Sequence, residues 1–215
     1  MAGRKKSKCK AIYDALLTAY GPQKCFLDHE TPFQLLCAVI LSAQCTDKKV
    51  NTVTPELFRR YPDAAALADA DAAELETILH PCGFYHAKGK YLREMAAILR
   101  DEYAGEVPDT MEKLTRLPGV GRKTANVVLG DSMGVPGLPV DTHVLRLSGR
   151  LGLSRSTDPV KVEQDLCKEL EPEYWAQFSH LLIVHGRNRC TARRADCINC
   201  EISGLCAGIT KEKSL

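Results

Sequence analysis

Apolar residues recur at helical spacing along most of the chain. Ile12, Ala15, Leu16 and Ala19 mark a helix over residues 10–20, with Gly21 as its stop. Thr31-Pro32 reads as an N-cap followed by proline in the first turn. The following FQLLCAVILSAQ (33–44) is apolar nearly all round, which predicts a central helix buried on every side. Residues 63–79 are rich in Ala and Leu and run up to His80-Pro81. Leu92, Met95, Ala96 and Leu99 form one face of a helix over 88–103, and Asp109 with Glu112 resembles a capping box. Val162, Leu166 and Leu170 repeat every four residues. YWAQFSHLLIVHG (174–186) reads as a last buried helix closed by Gly186. No stretch alternates apolar and polar residues with the β-branched enrichment of strands, so the predicted fold class is all-α. Any domain boundary is expected in the turn-rich GDSMGVPGLP, residues 130–139.

Composition adds little until it is resolved along the chain. At 215 residues, 45% hydrophobic and 26% charged, the protein has the make-up of an ordinary globular chain of one domain or two small ones. No apolar run is long enough for a membrane span or a signal peptide, so a cytoplasmic protein is expected. The net charge of +2 conceals an uneven distribution. Residues 1–10 hold five bases and no acid, and 187–194 hold four arginines and no acid. Residues 63–76 hold five acids and no base. One positive and one negative face would suit a polyanion partner, although for residues 1–10 alone a solvated tail suffices.

The stretch LTRLPGVGRKTANVVLG (114–130) places a tight turn, Pro118-Gly119-Val120-Gly121, between two apolar helical segments. The glycines permit positive φ and close backbone approach, and Val120 can tuck inward. The new helix then begins near Arg122 with unpaired N–H groups and the positive end of its dipole pointing outward, a site for a phosphate. Lys113, Arg116, Arg122 and Lys123 surround it, which favours a DNA backbone clip over a plain connection. Lys123 falls in the first helical turn, where the dipole disfavours a cation. Partial burial would push the same way and leave more free amine, a nucleophile able to form a Schiff base. One more phosphate-contacting lysine is equally compatible with the spacing. Downstream, Asp141 precedes an apolar helical stretch. It fits an N-cap, and it also fits a carboxylate that assists the lysine and stabilises developing positive charge. His143 fits a structural role or a phosphate contact.

Of ten cysteines, six are scattered and read mostly as small buried hydrophobes. The other four, Cys190, Cys197, Cys200 and Cys206, are spaced C-x6-C-x2-C-x5-C, a metal signal in a reduced protein. Four thiolates suit zinc or an iron–sulfur cluster. A single C-x-x-C knuckle in place of the zinc ribbon's two tilts the reading to [4Fe–4S]. Its expected role is a redox-inert clamp, with Arg193 and Arg194 in the first loop facing phosphates.

These motifs together resemble the endonuclease III family of helix–hairpin–helix DNA glycosylases. They are LLCAVILSAQCTD (35–47), GFYHAKG (83–89), LPGVGRKTANVVL (117–129), VDTH (140–143) and the cysteine tail, in the family's order. The resemblance implies two all-α lobes. A six-helix lobe bearing the hairpin would span 25–135. The terminal segments, 1–24 and 136–215, would form a cluster lobe with its loop at 186–207. It implies a bifunctional enzyme that removes oxidised pyrimidines such as thymine glycol from double-stranded DNA and nicks the abasic strand. Lys123 would be the nucleophile and Asp141 the catalytic aspartate. Gly119, Gly121, Arg122 and His143 would join the DNA contacts. A flipped nucleotide leaves a hole in the duplex. Gln44 matches the plugging glutamine, and Phe84 takes the wedge position where many relatives carry leucine. Cys45 follows Gln44 where relatives often have alanine; a small packed side chain is expected there, with some sensitivity to oxidation. A monomer is expected.

The rival readings separate on single features. Adenine and mismatch-thymine glycosylases of the superfamily differ at the position of Lys123, and the oxoguanine enzymes generally lack the cysteine tail. A non-catalytic DNA clamp would show no trappable lysine. An electron-transfer protein would have no need of the hairpin.

Overall fold

The computed structural model describes residues 7–208. Arg4, Lys5 and Lys6 of the basic N-terminal run lie outside them. Among the described residues the chain is helical, with no strand and a single isolated bridge between Cys190 and Ala195. No helix among them is long and apolar enough to cross a membrane. The chain divides into a compact unit Cys25–Val135 and a second unit drawn from the chain on either side of it.

The unit Cys25–Val135 is built around α2 (Pro32–Leu41). Thr31 caps it by accepting from the Gln34 N–H, and Pro32 occupies the first turn. Phe33, Leu35, Leu36, Cys37, Ala38, Val39, Ile40 and Leu41 are all buried, so beyond its first turn no side of this helix faces water. Such burial stabilises by about 1.5–3 kcal/mol per large aliphatic side chain. It obliges other helices to surround α2, and α3 (Asp47–Arg60), α6 (Tyr85–Glu102) and α8 (Arg122–Ser132) do so. The helix stops at Ser42, whose N–H and hydroxyl bond back into the last turn, so it is shorter than the apolar run predicts.

Three further expectations need correction. Residues 63–79 form two short helices, α4 (Ala64–Ala68) and α5 (Ala72–Leu79), because Asp63 and Asp71 each start one by accepting from helix N–H groups. Two of the five acids in that stretch are therefore caps. The N-cap of α7 (Met111–Leu114) is Thr110, which accepts from the Lys113 N–H, and not Asp109. The helix expected to close at Gly186 runs on to Asn188.

In the second unit α11 (Trp175–Asn188) packs between α1 (Lys8–Tyr20) and α9 (Thr142–Leu151), and α10 (Pro159–Glu169) leans on α1 and α9. Phe178 is fully buried on α11, with its ring 6.3 Å from that of Tyr13. Ser179 donates to the Pro139 carbonyl at 2.8 Å, anchoring the strand of chain that leads into α9. Gly186 serves packing rather than termination: a Cβ there would lie 2.8 Å from His143 Nδ1 and 3.3 Å from His143 Cβ.

Candidate functional site

The hairpin begins where α7 ends. Leu117 N–H bonds the Leu114 carbonyl at 3.1 Å, and Val120 N–H bonds the Leu117 carbonyl at 3.1 Å. Leu117 and Val120 turn inward, at 3% and 7% exposure, and clip the turn to the core. Gly119 has φ +76, and a Cβ there would meet Tyr91 Cβ at 3.2 Å and Cγ at 3.3 Å. Gly121 differs from the expectation. Its φ is −93 and open space surrounds it, so it needs no left-handed freedom. It is instead the N-cap of α8, and no side chain caps that end. With Ala125, Val128 and Leu129 of α8 buried, the helix is held with its first turn outward. Arg122 and Lys123 stand exposed in that turn. Neither side chain is buried, because both residues follow the uncapped end directly and precede the buried part of α8.

Gln44 and Phe84 share an unusual backbone. Among the described residues only Gln44 (φ +52), Phe84 (φ +50) and Ala104 (φ +53) are non-glycine residues with positive φ. Gln44 is exposed in the turn that leaves α2. Phe84 is 66% exposed and directly precedes α6. Left-handed geometry costs an L-residue about 1–2 kcal/mol, and exposing phenylalanine forgoes its burial. Two turns thus hold two outward side chains at a cost to the folded state, as functional sites do.

In the other unit, Asp141 caps α9. Its Oδ1 accepts from the Val144 N–H at 2.8 Å, so one carboxylate oxygen fixes the side chain and the other remains available. Asp141 and His143 are half-buried. His143 Nδ1 lies 3.3 Å from Arg146 Nη2, under Gly186. Burial, above all, lowers the His143 pKa; Asp141 opposes this, while Arg146 and Arg187 reinforce it.

The same helix reaches the cysteine tail. Arg146 Nη2 donates to the carbonyls of Gly186 at 3.1 Å and Cys190 at 3.0 Å. Arg150 donates to Cys190 Sγ at 3.3 Å, to the Thr191 carbonyl at 2.8 Å and to the Ala192 carbonyl at 3.0 Å. His185 Nε2 lies 3.7 Å from Cys200 Sγ, while its Nδ1 meets Tyr20 Oη at 2.8 Å. Glu201 accepts from Arg189 at 2.9 Å and from Tyr20 at 3.1 Å. Burial first, and the charges of Glu201, Cys206 and Cys190, push the Cys200 thiol up. Cys190, Cys197, Cys200 and Cys206 are all free thiols. Cys190 and Cys206 lie near enough for their charges to act on Cys200, and soft sulfur donors with a guanidinium on one and an imidazole beside another fit a thiolate-bound metal centre with outer partners. Arg193 and Arg194 are exposed on the loop between the first two cysteines.

Residues 37–172 match the model of the HhH-GPD superfamily of base excision DNA repair proteins. The endonuclease III of Synechocystis is 49% identical over 203 residues, covering 94% of this chain and 93% of that one. The chain belongs to the endonuclease III family. Its fold is similar to a non-covalent endonuclease III–DNA complex at a TM-score of 0.89 and 40% identity, over 96% of this chain and 97% of that one. A trapped covalent endonuclease III–DNA intermediate matches with the same TM-score at 39% identity, over 97% of this chain and all of that one.

Within this endonuclease III fold some contributors escaped the sequence reading. Arg146 and Arg150 hold the tail, and their spacing of four puts both on one side of α9. Tyr91 backs the hairpin from α6, and nothing in its local sequence points there.

Two outcomes follow for the endonuclease III site. Gly119→Ala is expected to lower stability by about 1–2 kcal/mol in chemical denaturation, whereas Gly121→Ala stays near wild type. Equal effects would remove the distinction between the two glycines. For His143, a folded pKa below the ordinary 6.5 means that its contribution to stability is complete above pH 6.5. The contribution is lost as pH falls below that value. Stability measured from neutral to mildly acidic pH should therefore decline less steeply in His143→Gln; His185, also lowered by burial, acts with the same sign and leaves a residual slope.

Proposed function

We propose that this chain is a DNA glycosylase and abasic-site lyase of base excision repair, acting on oxidised pyrimidines in duplex DNA through Lys123. The observation that carries the reading is the uncapped start of α8 with Lys123 exposed in its first turn. A relative with this fold has been trapped covalently on DNA, which requires a protein nucleophile in that relative.

The hairpin N–H groups of α8 would hold a backbone phosphate without reading sequence. Gly121 leaves room for the phosphate to approach, and Arg122 adds charge. Arg193 and Arg194 would contact further phosphates. With the nucleotide turned out, Gln44 would fill the vacated space and offer its amide to the orphaned base, and the Phe84 ring would stack as a wedge. The Lys123 amine would attack the sugar's anomeric carbon, and the base would leave with its bonding electrons. The resulting Schiff base acidifies the neighbouring sugar proton, and β-elimination breaks the strand on the 3′ side. Asp141, held through Oδ1 by the α9 cap, would present Oδ2 to the positive charge that develops on the sugar and help move the proton.

Cys190, Cys197, Cys200 and Cys206 are proposed to hold a [4Fe–4S] cluster. Bound there, the cluster would act as a structural clamp on the tail. Arg150 on Cys190 Sγ and His185 beside Cys200 Sγ would orient two of the ligands.

Two variants test the reading. Lys123→Ala should abolish borohydride trapping on a duplex containing one thymine glycol while retaining duplex binding. Trapping by the mutant would exclude Lys123 as the nucleophile. Asp141→Asn keeps an N-cap oxygen, so it should slow single-turnover base release by roughly a hundredfold or more while stability changes little. An unchanged rate would reduce Asp141 to its cap.

A further inference from the structure

The turn that carries Phe84 is held in an unusual way. Gly83 and Phe84 are successive residues of positive φ, at +63 and +50. Left-handed backbone persists at a residue with a Cβ only where its surroundings hold it there. Phe84 stands at the N-cap of α6, and no side chain caps that end. One residue of α6 bonds the turn instead. The Lys88 N–H donates to the Phe84 carbonyl at 3.1 Å, and Lys88 Nζ donates to the Cys82 carbonyl at 2.8 Å. One carbonyl precedes Gly83 and the other follows Phe84, so Lys88 brackets both residues of positive φ. Cys82 is itself seated in the core. Lys88 is 4% exposed, and among the described residues no carboxylate pairs with its ammonium. Burying an ammonium without a counter-ion is costly, and an apolar side chain of the same length would fill the space without that cost. Buried as it is, the amine has no access to a substrate.

We propose that Lys88 is the positioning residue of Phe84: its ammonium ties the Cys82 carbonyl to α6 and so fixes the Phe84 ring outward, in the pose that enters DNA. Without the ammonium, one of the two brackets opens. The bond from the Lys88 N–H then leaves the Gly83 peptide free to rotate, and Phe84 relaxes toward the extended backbone that an L-residue prefers. Its ring leaves the outward pose with it. A wedge that has to be ordered on binding gives up part of its stacking to that ordering, whereas one already in place does not. The effect on DNA rests on the proposed insertion of Phe84; the hold of Lys88 on the turn does not.

The test uses the intact, cluster-loaded protein and Lys88→Met, which keeps an unbranched side chain and removes the donor. The variant loses a buried charge and leaves one carbonyl without its partner, so it should fold, and chemical denaturation checks this. If it does not fold, Lys88→Gln, one bond too short to hold the carbonyl, takes its place with the same outcomes. Protection of the residue 88 amide against hydrogen exchange should fall roughly tenfold or more. Unchanged protection would overturn the hold on the turn. Insertion is read on a duplex with a tetrahydrofuran abasic analogue, which a lyase cannot open, and 2-aminopurine opposite it. Wild type should brighten the 2-aminopurine by unstacking it. Lys88→Met and Phe84→Ala should each lose most of that rise while still binding the duplex, and the double variant should lose no more than Phe84→Ala does. A full rise in Lys88→Met, or losses that multiply in the double variant, would overturn the positioning role. If Phe84→Ala matches wild type, the wedge reading fails, and hydrogen exchange still decides whether Lys88 holds the turn.

Discussion

A helix with no polar side has to be surrounded, and in the unit Cys25–Val135 that requirement fixes the rest. Phe33 and the seven consecutive buried residues from Leu35 to Leu41 leave α2 no surface to offer water beyond its first turn. Its neighbours are therefore set by apolar area. α8 lies against it and carries the hairpin at its outer end, and α6 lies against it with Phe84 at its start. Gln44 follows from the helix's own exit. Three elements that matter for the proposed chemistry are thus placed by one stripe of aliphatic side chains, far from any charge.

Local rules with a direct physical cause were legible in the sequence. Thr31-Pro32 starts α2, Asp141 starts α9, Gly21 ends α1 with φ +69, and Val120 turns inward as its place between two glycines implies. The errors arose where two local signals competed or where a distant residue decided. Asp63 and Asp71 both offered caps within one Ala-rich run, so one apparent helix became two. Thr110 and Asp109 offered adjacent caps, and the hydroxyl won. Gly186 resembled a stop, but its reason is His143, forty-three positions away in sequence and in contact in space.

The site shows the same division. The residue types and their spacing revealed the hairpin, the two candidate catalytic groups and the four cysteines. The exposure of Lys123 could not be read, because it depends on how α8 seats against α2. Nor could the sequence reveal that Arg150 reaches Cys190, since that contact joins segments that periodicity treats separately.

Asp141 carries a consequence of its own. One oxygen of its carboxylate closes a helix and the other is not used by that cap, so the same three atoms answer to two selections. Serine, threonine or asparagine would satisfy the helix, and a nearby glutamate would supply charge, but neither exchange meets both demands. The start of α9 is consequently a point where drift in the scaffold and drift in the chemistry are prevented together. Tolerance of substitution should be lowest there for reasons that neither folding nor catalysis alone would reveal.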